Sequence, residues 1–343
     1  TNTVKSYDGA TLHSSNRSYF QTSPQTEGEY YVFCVVSAGD FSYTSEILTY
    51  NVIDPAALTE NRYLITSDGT LYSVFSNDEV VTIPETINGI TVKTIAGKTF
   101  GTETYGTAEY DRCPYMTTLI LPDTVETLEP TAVPSCVTTL EMGDGIKHIE
   151  GLPGSIEKLV IPEGVETLYI PEDIPMLEIQ SPKTIELLNE MDAEIEVGTL
   201  ILPEGLEIIG EGGLEFSVDA NEVVLPSTLK VFAPVKSFFV REKMELPEGL
   251  EVFDGGRIIT EYWDRYQGSD IVIDYNFYYD GKTLVFPESL KTLGHPGILW
   301  NVTELDLPQG FIPGEYFFER TSIETYIIPA GMTVIPKGLF ENS

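Results

Sequence analysis

The chain has 343 residues, enough for two domains, and 42% of them are hydrophobic, which excludes a globally disordered polymer. Its 54 acidic against 19 basic side chains give a formal charge of −35, which repels phosphate backbones and anionic lipid and excludes nucleic acid as a partner. No apolar run approaches the roughly 18 residues that membrane insertion needs, and the three cysteines, Cys34, Cys113 and Cys136, show no C-x-x-C spacing.

In chain order, the first expected elements are the strands of "EGEYYVFCVVSAGDFSYTSEILTYNVID", which alternate on both sides of an Ala-Gly-Asp turn. This stretch resembles the closing hairpin of an immunoglobulin-like or fibronectin-like β-sandwich. The resemblance implies a small N-terminal sandwich-like module over residues 1–54, short for a complete one, with "DPAALTEN" as the linker. The Asp-Gly pairs at 8–9, 68–69 and 280–281 read as hairpin turns.

From there the chain repeats itself. With the proline of "LVIPEGVETL" as origin, apolar residues stand at −3, −1, +3 and +6: Leu159, Ile161, Val165 and Leu168 around Pro162. Leu119, Leu121, Val125 and Leu128 repeat this around Pro122, and Leu200, Leu202, Leu206 and Ile209 around Pro203. Origins fall at 84, 122, 143, 162, 182, 203, 226, 247, 287, 308 and 329, with Gly143 standing in for proline once. Gaps of mostly 19–23 residues are a solenoid period. The −3/−1 alternation predicts a short strand that proline ends, because proline has no N–H for the next ladder bond. The +3/+6 pair predicts the chain's return across the core. Position +4 carries Glu126, Lys147, Glu166, Glu186, Glu207, Lys230, Glu251 and Lys291, a predicted ladder of charges between stacked coils.

"VVTIPETINGITVKTIAGKTF", "CPYMTTLILPDTVETLEPTAV" and "IIPAGMTVIPKGLFENS" resemble the BspA-like leucine-rich repeats of bacterial surface proteins. The resemblance spans about residues 60–343. It implies a mostly β chain: a right-handed leucine-rich-repeat solenoid of about eleven coils over 55–343, opened by a hairpin at 61–79. It implies a secreted or cell-surface location and adhesion to a protein, host or matrix ligand. The family's Ala-Phe pair survives only as Thr99-Phe100, Ala132-Val133 and Leu339-Phe340. Cys113 and Cys136 keep its cysteine position and are expected as buried thiols on neighbouring coils.

No catalytic, metal-binding or cofactor motif stands out. His148 reads as a half-packed ladder residue and His295 as part of a turn, "LGHPG". The chain is therefore expected to be non-catalytic, without cofactor or metal. Two interruptions break the repeat: an insertion at 97–114 and the stretch between Pro247 and Pro287. The latter holds Tyr262, Trp263, Tyr266, Tyr275, Phe277, Tyr278 and Tyr279. Either it is a degenerate coil with "DIVID" as its strand, or Tyr262, Trp263, Tyr266, Tyr278 and Tyr279 form an aromatic patch for a protein or a glycan. Position −2 faces away from the core and forms a second candidate surface, an outer stripe of Ile120, Val160, Ile201, Val224, Val285 and Ile327. Such a stripe suits docking, and it equally suits plain β-propensity.

Overall fold

The computed structural model describes residues 28–38, 41–52, 62–101, 112–171, 174–256, 258–264, 268–328 and 331–343. Two parallel sheets run side by side through the repeats. The long sheet has ten strands, from Val80–Thr82 through Thr118–Ile120, Thr139–Glu141, Lys158–Ile161, Ile174–Ile179, Glu194–Ile201, Ser217–Val224, Phe238–Met244 and Phe277–Tyr279 to Ile298–Leu299. Each strand precedes one repeat origin, and Leu200↔Val223↔Met244 shows the −3 positions in register, joined by Leu177, which stands five residues before its own origin because Pro182 opens a helix there. That register buries one side chain of every coil on the same line, which is why a short apolar motif suffices to build a core.

The motif's proline also sets up the turn. Its carbonyl accepts the N–H three residues on: Val125 to Pro122 at 3.1 Å, Leu206 to Pro203 at 3.2 Å, Leu250 to Pro247 at 3.0 Å. In two of the three "PEG" turns the glycine supplies a positive φ, +100° at Gly164 and +92° at Gly205, as a type II turn requires, whereas Gly249 does without it. The turn delivers the +3 residue inward, and the chain then pairs as a short parallel strand. These strands form a second sheet in two pieces, one ending at His148–Ile149 and one running from Ile208–Ile209 to Thr292–Leu293. Between the pieces the chain forms a helix instead, Pro182–Glu190. Ser181 caps it by accepting the N–H of Lys183 at 3.3 Å, proline occupies its first turn, and Ile185 and Leu188 bury the inner face.

The +4 residues lie at the edge of this second sheet. Lys147 meets Glu126 at 3.1 Å, Lys230 meets Glu207 at 2.7 Å and Lys291 meets Glu251 at 2.7 Å. Their backbones join the same ladder, with Lys230 N–H donating to Glu207 at 2.9 Å. Glu186 is not a rung, because the helix carries it away from the stack.

One core runs continuously from Leu71 to Val302, and a smaller cluster of Phe317, Phe318 and Leu339 follows it. The core turns aromatic toward its C-terminal end, where Phe232 stacks on Phe253 at 4.9 Å and meets Phe277 edge-on at 4.9 Å.

Several expectations need correction. The stretch between Pro247 and Pro287 contains no extra coil: Ile258–Asp264 and Gly268–Asp274 form an antiparallel hairpin inserted into a single coil, since Phe253 pairs directly with Leu293. "DIVID" therefore never enters the stack. Asp280-Gly281 is no hairpin turn either; it joins Tyr279 to Thr283 along one parallel coil. Cys113 is buried but Cys136 is exposed, so the two are not a matched pair of core thiols. Asp68-Gly69 does close the opening hairpin, Arg62–Ile65 against Thr70–Phe75. The second of these strands also pairs with Thr94–Ile95 and so starts the short sheet. In the N-terminal piece, Gly28–Val32 pairs with Leu48–Val52 and Val35–Ala38 with Phe41–Thr44, all antiparallel, as the hairpin expectation requires.

Candidate recognition surface

On the long sheet, residues alternate between the core and the outside. Phe238 and Val240 are buried while Phe239 between them is half-buried, and Tyr278 stands likewise between buried Phe277 and Tyr279. Because Phe239 pairs in register with Tyr278, their rings stack at 5.5 Å and 10° on the outer face. Trp300 follows the last strand and closes the group, 5.8 Å from Phe239 and 6.0 Å from Tyr278. It is 46% exposed, and its backbone is held from both sides, its N–H on Tyr279 at 3.1 Å and its carbonyl by the Ser322 hydroxyl. The three rings come from three successive coils and form one platform.

Arg241 flanks this platform. Its guanidinium carbon lies 4.8 Å from the Phe239 ring centroid, and its fork grips Asp219 with Nε–Oδ1 at 2.9 Å and Nη2–Oδ2 at 2.5 Å. The guanidinium is held above its ordinary range, first by the hydrogen bond to Asp219 and further by the charges of Asp219, Glu196 and Asp280.

Beside the platform the long sheet opens. Phe238–Met244 pairs with Phe277–Tyr279 only as far as Val240↔Tyr279, and Thr283–Val285 pairs onward with Glu304–Asp306. The separation leaves a cleft of about 720 Å³ with Met244, Leu246, Tyr279, Val285 and Pro287 among its walls and charged Arg241, Lys243 and Glu245 at its rim. The Tyr279 hydroxyl crosses its floor to donate to the Thr283 carbonyl at 3.0 Å. Burial, chiefly, pushes this phenol above its ordinary value of 10.0.

The sequence-derived candidates separate on this map. Tyr278 belongs to the platform. Tyr279 does not: it faces the core at 2% exposure. Tyr262 and Trp263 lie on the first strand of the inserted hairpin, and Tyr266 lies outside the described residues. The outer stripe faces out where it joins the sheet, with Ile120, Val160 and Ile201 half-buried and Val224 and Val285 about half exposed. It is not one apolar band, because the register interleaves it with acid: Ile120↔Glu141, Val160↔Glu178↔Ile201. Ile327 is 85% exposed and lies beyond the last strand. The insertion at 97–114 falls mostly outside the described residues. Sequence reasoning missed Phe239, Arg241 and Trp300, although an aromatic residue eight or nine positions before three successive origins signals them: "KSFFVREK", "NFYYDGK" and "GILWNVTE".

Of the histidines, His148 is half-buried and sits 3.2 Å from the Thr167 hydroxyl, and His295 links a turn to the next coil through Nε2 to the Tyr316 carbonyl at 2.8 Å. Among the described residues no three His, Cys, Asp or Glu side chains gather into a metal site, and no helix is long and apolar enough to cross a membrane.

Neither the models of protein families nor the curated proteins contain a match to this chain. Among solved structures, the chain is similar to a leucine-rich repeat protein of T. pallidum, with 19% identity over 52% of this chain and 82% of that one and a TM-score of 0.26. Superposition at that level carries no argument, and the solenoid described above rests on its own strand ladder.

Proposed function

We propose that the protein is a non-catalytic leucine-rich-repeat scaffold, secreted or displayed on a bacterial surface, that binds a protein ligand through the outer face of its long sheet. The observation that carries this reading is the platform of Phe239, Tyr278 and Trp300 beside Arg241. A tryptophan, a tyrosine and an arginine that reach the surface in one rigid cluster are the side chains that dominate binding energy at protein interfaces. A parallel ladder fixes them with little conformational freedom left to lose on binding. The resemblance to BspA-like repeats supports the surface location and an adhesive role toward host or matrix proteins. The separate resemblance of the N-terminal strands to an immunoglobulin-like or fibronectin-like hairpin supports treating residues 1–54 as a sandwich-like module in front of a repeat domain at 55–343. No cofactor enters this reading.

A second reading, a carbohydrate-binding module, draws on the half-exposed Trp300 ring, since aromatic faces stack on sugar rings. A screen of the labelled chain against extracellular-matrix proteins and glycans, run beside a Tyr278→Ala/Trp300→Ala variant, separates the two. A protein hit that the variant loses supports the first reading and a glycan hit that it loses supports the second. A hit of either kind that the variant retains removes the platform from both.

A further inference from the structure

We propose that the platform takes an extended cationic segment of the partner, a run of arginine or lysine residues laid across the strands. This deepens the protein-binding reading and rests on it. The first support is charge. The ten strands of the long sheet carry three cations, Lys158, Arg241 and Lys243, and seven carboxylates. All three cations are held by carboxylates: Lys158 by Glu178 at 2.7 Å, Arg241 by Asp219 at 2.5 Å, Lys243 by Glu245 at 3.0 Å. The surplus is acidic, with Glu194, Glu196 and Glu222 on the strands and Asp280 and Glu304 close by. An anionic ligand meets that surplus as repulsion, and a neutral sugar draws nothing from it.

The second support is that the molecule already contains one instance of the contact. The Arg241 guanidinium lies over the Phe239 ring with Asp219 in its fork, which is how a ligand arginine would be held over Tyr278 or Trp300 with carboxylates nearby.

The third support is size. From the strand bearing Glu196 to the one before Trp300 the sheet runs five strands, four spacings of ~4.8 Å, or ~19 Å. An extended peptide covers that distance with about six residues. The outer face therefore matches a short linear segment rather than a single cation.

The test is fluorescence anisotropy of labelled hexa-arginine with the full chain at 0.15 M salt, with hexa-glutamate as the opposite charge. Hexa-arginine should bind and hexa-glutamate should not. Tyr278→Ala/Trp300→Ala should weaken hexa-arginine roughly tenfold, the equivalent of two modest ring contacts. Trp300→Phe, which keeps a π face, should weaken it far less. Trp300→Leu keeps apolar bulk without that face and covers the case of an alanine variant that fails to fold. Equal binding by the wild type and the Leu variant would mean diffuse attraction to an acidic protein and would overturn the proposal. No hexa-arginine binding, alongside a matrix protein held through Trp300, would overturn the cationic partner and leave the protein-binding surface intact. A matrix protein held independently of Trp300 would remove both.

Discussion

Phe232 joins its coil to the next through the aromatic core. It is fully buried, stacks on Phe253 at 4.9 Å and 7°, and meets Phe277 at 4.9 Å and Phe238 at 5.3 Å edge-on. Truncating a buried phenylalanine to alanine costs ~3–5 kcal/mol through lost transfer energy and the residual cavity. Three ring partners, each worth ~0.5–1.5 kcal/mol beyond area, place Phe232→Ala at the upper end of that range, about 5 kcal/mol. In a stack where each coil touches only its neighbours, the loss falls on one junction. The coils beyond Phe232 should then melt ahead of those before it. Both tryptophans, Trp263 and Trp300, lie beyond Phe232, so their fluorescence reports that half alone. In a urea titration of Phe232→Ala, tryptophan fluorescence should change at lower urea than far-UV circular dichroism, and Phe232→Leu should show a smaller separation. A loss below ~1 kcal/mol, with the two probes coincident, would refute the reasoning about this junction.

Gly281 has no room for a side chain, since a Cβ there would lie 2.3 Å from the Tyr279 hydroxyl and 2.5 Å from the Glu242 carbonyl. Gly281→Ala should cost ~1–3 kcal/mol as an overpacking change and lower the thermal midpoint, and an unchanged midpoint would contradict the close approach. Ser181→Ala should cost ~1 kcal/mol by removing the helix cap, read as a shift in urea midpoint at constant slope. The charge ladder sets an acid limb: Glu126 and Glu251 are held below the ordinary 4.5, first by hydrogen bonds from Lys147 and Lys291. Their contribution is complete above that ordinary value and disappears as pH falls through the lowered one. Lys230 is raised above 10.5, first by its hydrogen bond with Glu207, so its contribution is complete below that value and is lost as pH rises through the raised one. Stability measured against pH should flatten in the acid limb when Lys147 and Lys291 become methionine, and an unaltered limb would count against the ladder.

The repeat itself was legible because its signal is local and redundant. The inward −3 positions, the proline that ends most of the strands and the +4 pairs such as Glu207–Lys230 all follow from one offset table. What escaped was whatever the table absorbed without testing. "SPKTIELLNE" carries a cap, a proline for the first turn and apolar residues three apart, which suit a helix as well as the +3/+6 pair. The repeat register hid that ambiguity. The inserted hairpin was hidden for the opposite reason: "DIVID" alternates like a coil strand, and only the pairing of Phe253 with Leu293 shows that it lies outside the stack. The platform was half legible. Tyr278 stood out in a tyrosine-rich stretch, whereas Phe239 is one of an adjacent pair whose other member, Phe238, fills the core, and Trp300 is a single aromatic in an ordinary coil. They meet only because the strands extend well upstream of the motif, a length set by the widths of neighbouring coils rather than by a local signal.

The most direct test of the recognition surface is hydroxyl-radical footprinting of the full chain with and without the bound partner from the matrix screen. The account predicts protection of Trp300, Tyr278 and Phe239 together, with Tyr115 and Tyr72 unchanged. Protection confined to residues away from the long sheet's outer face, with Trp300 reacting as it does in the free protein, would contradict it.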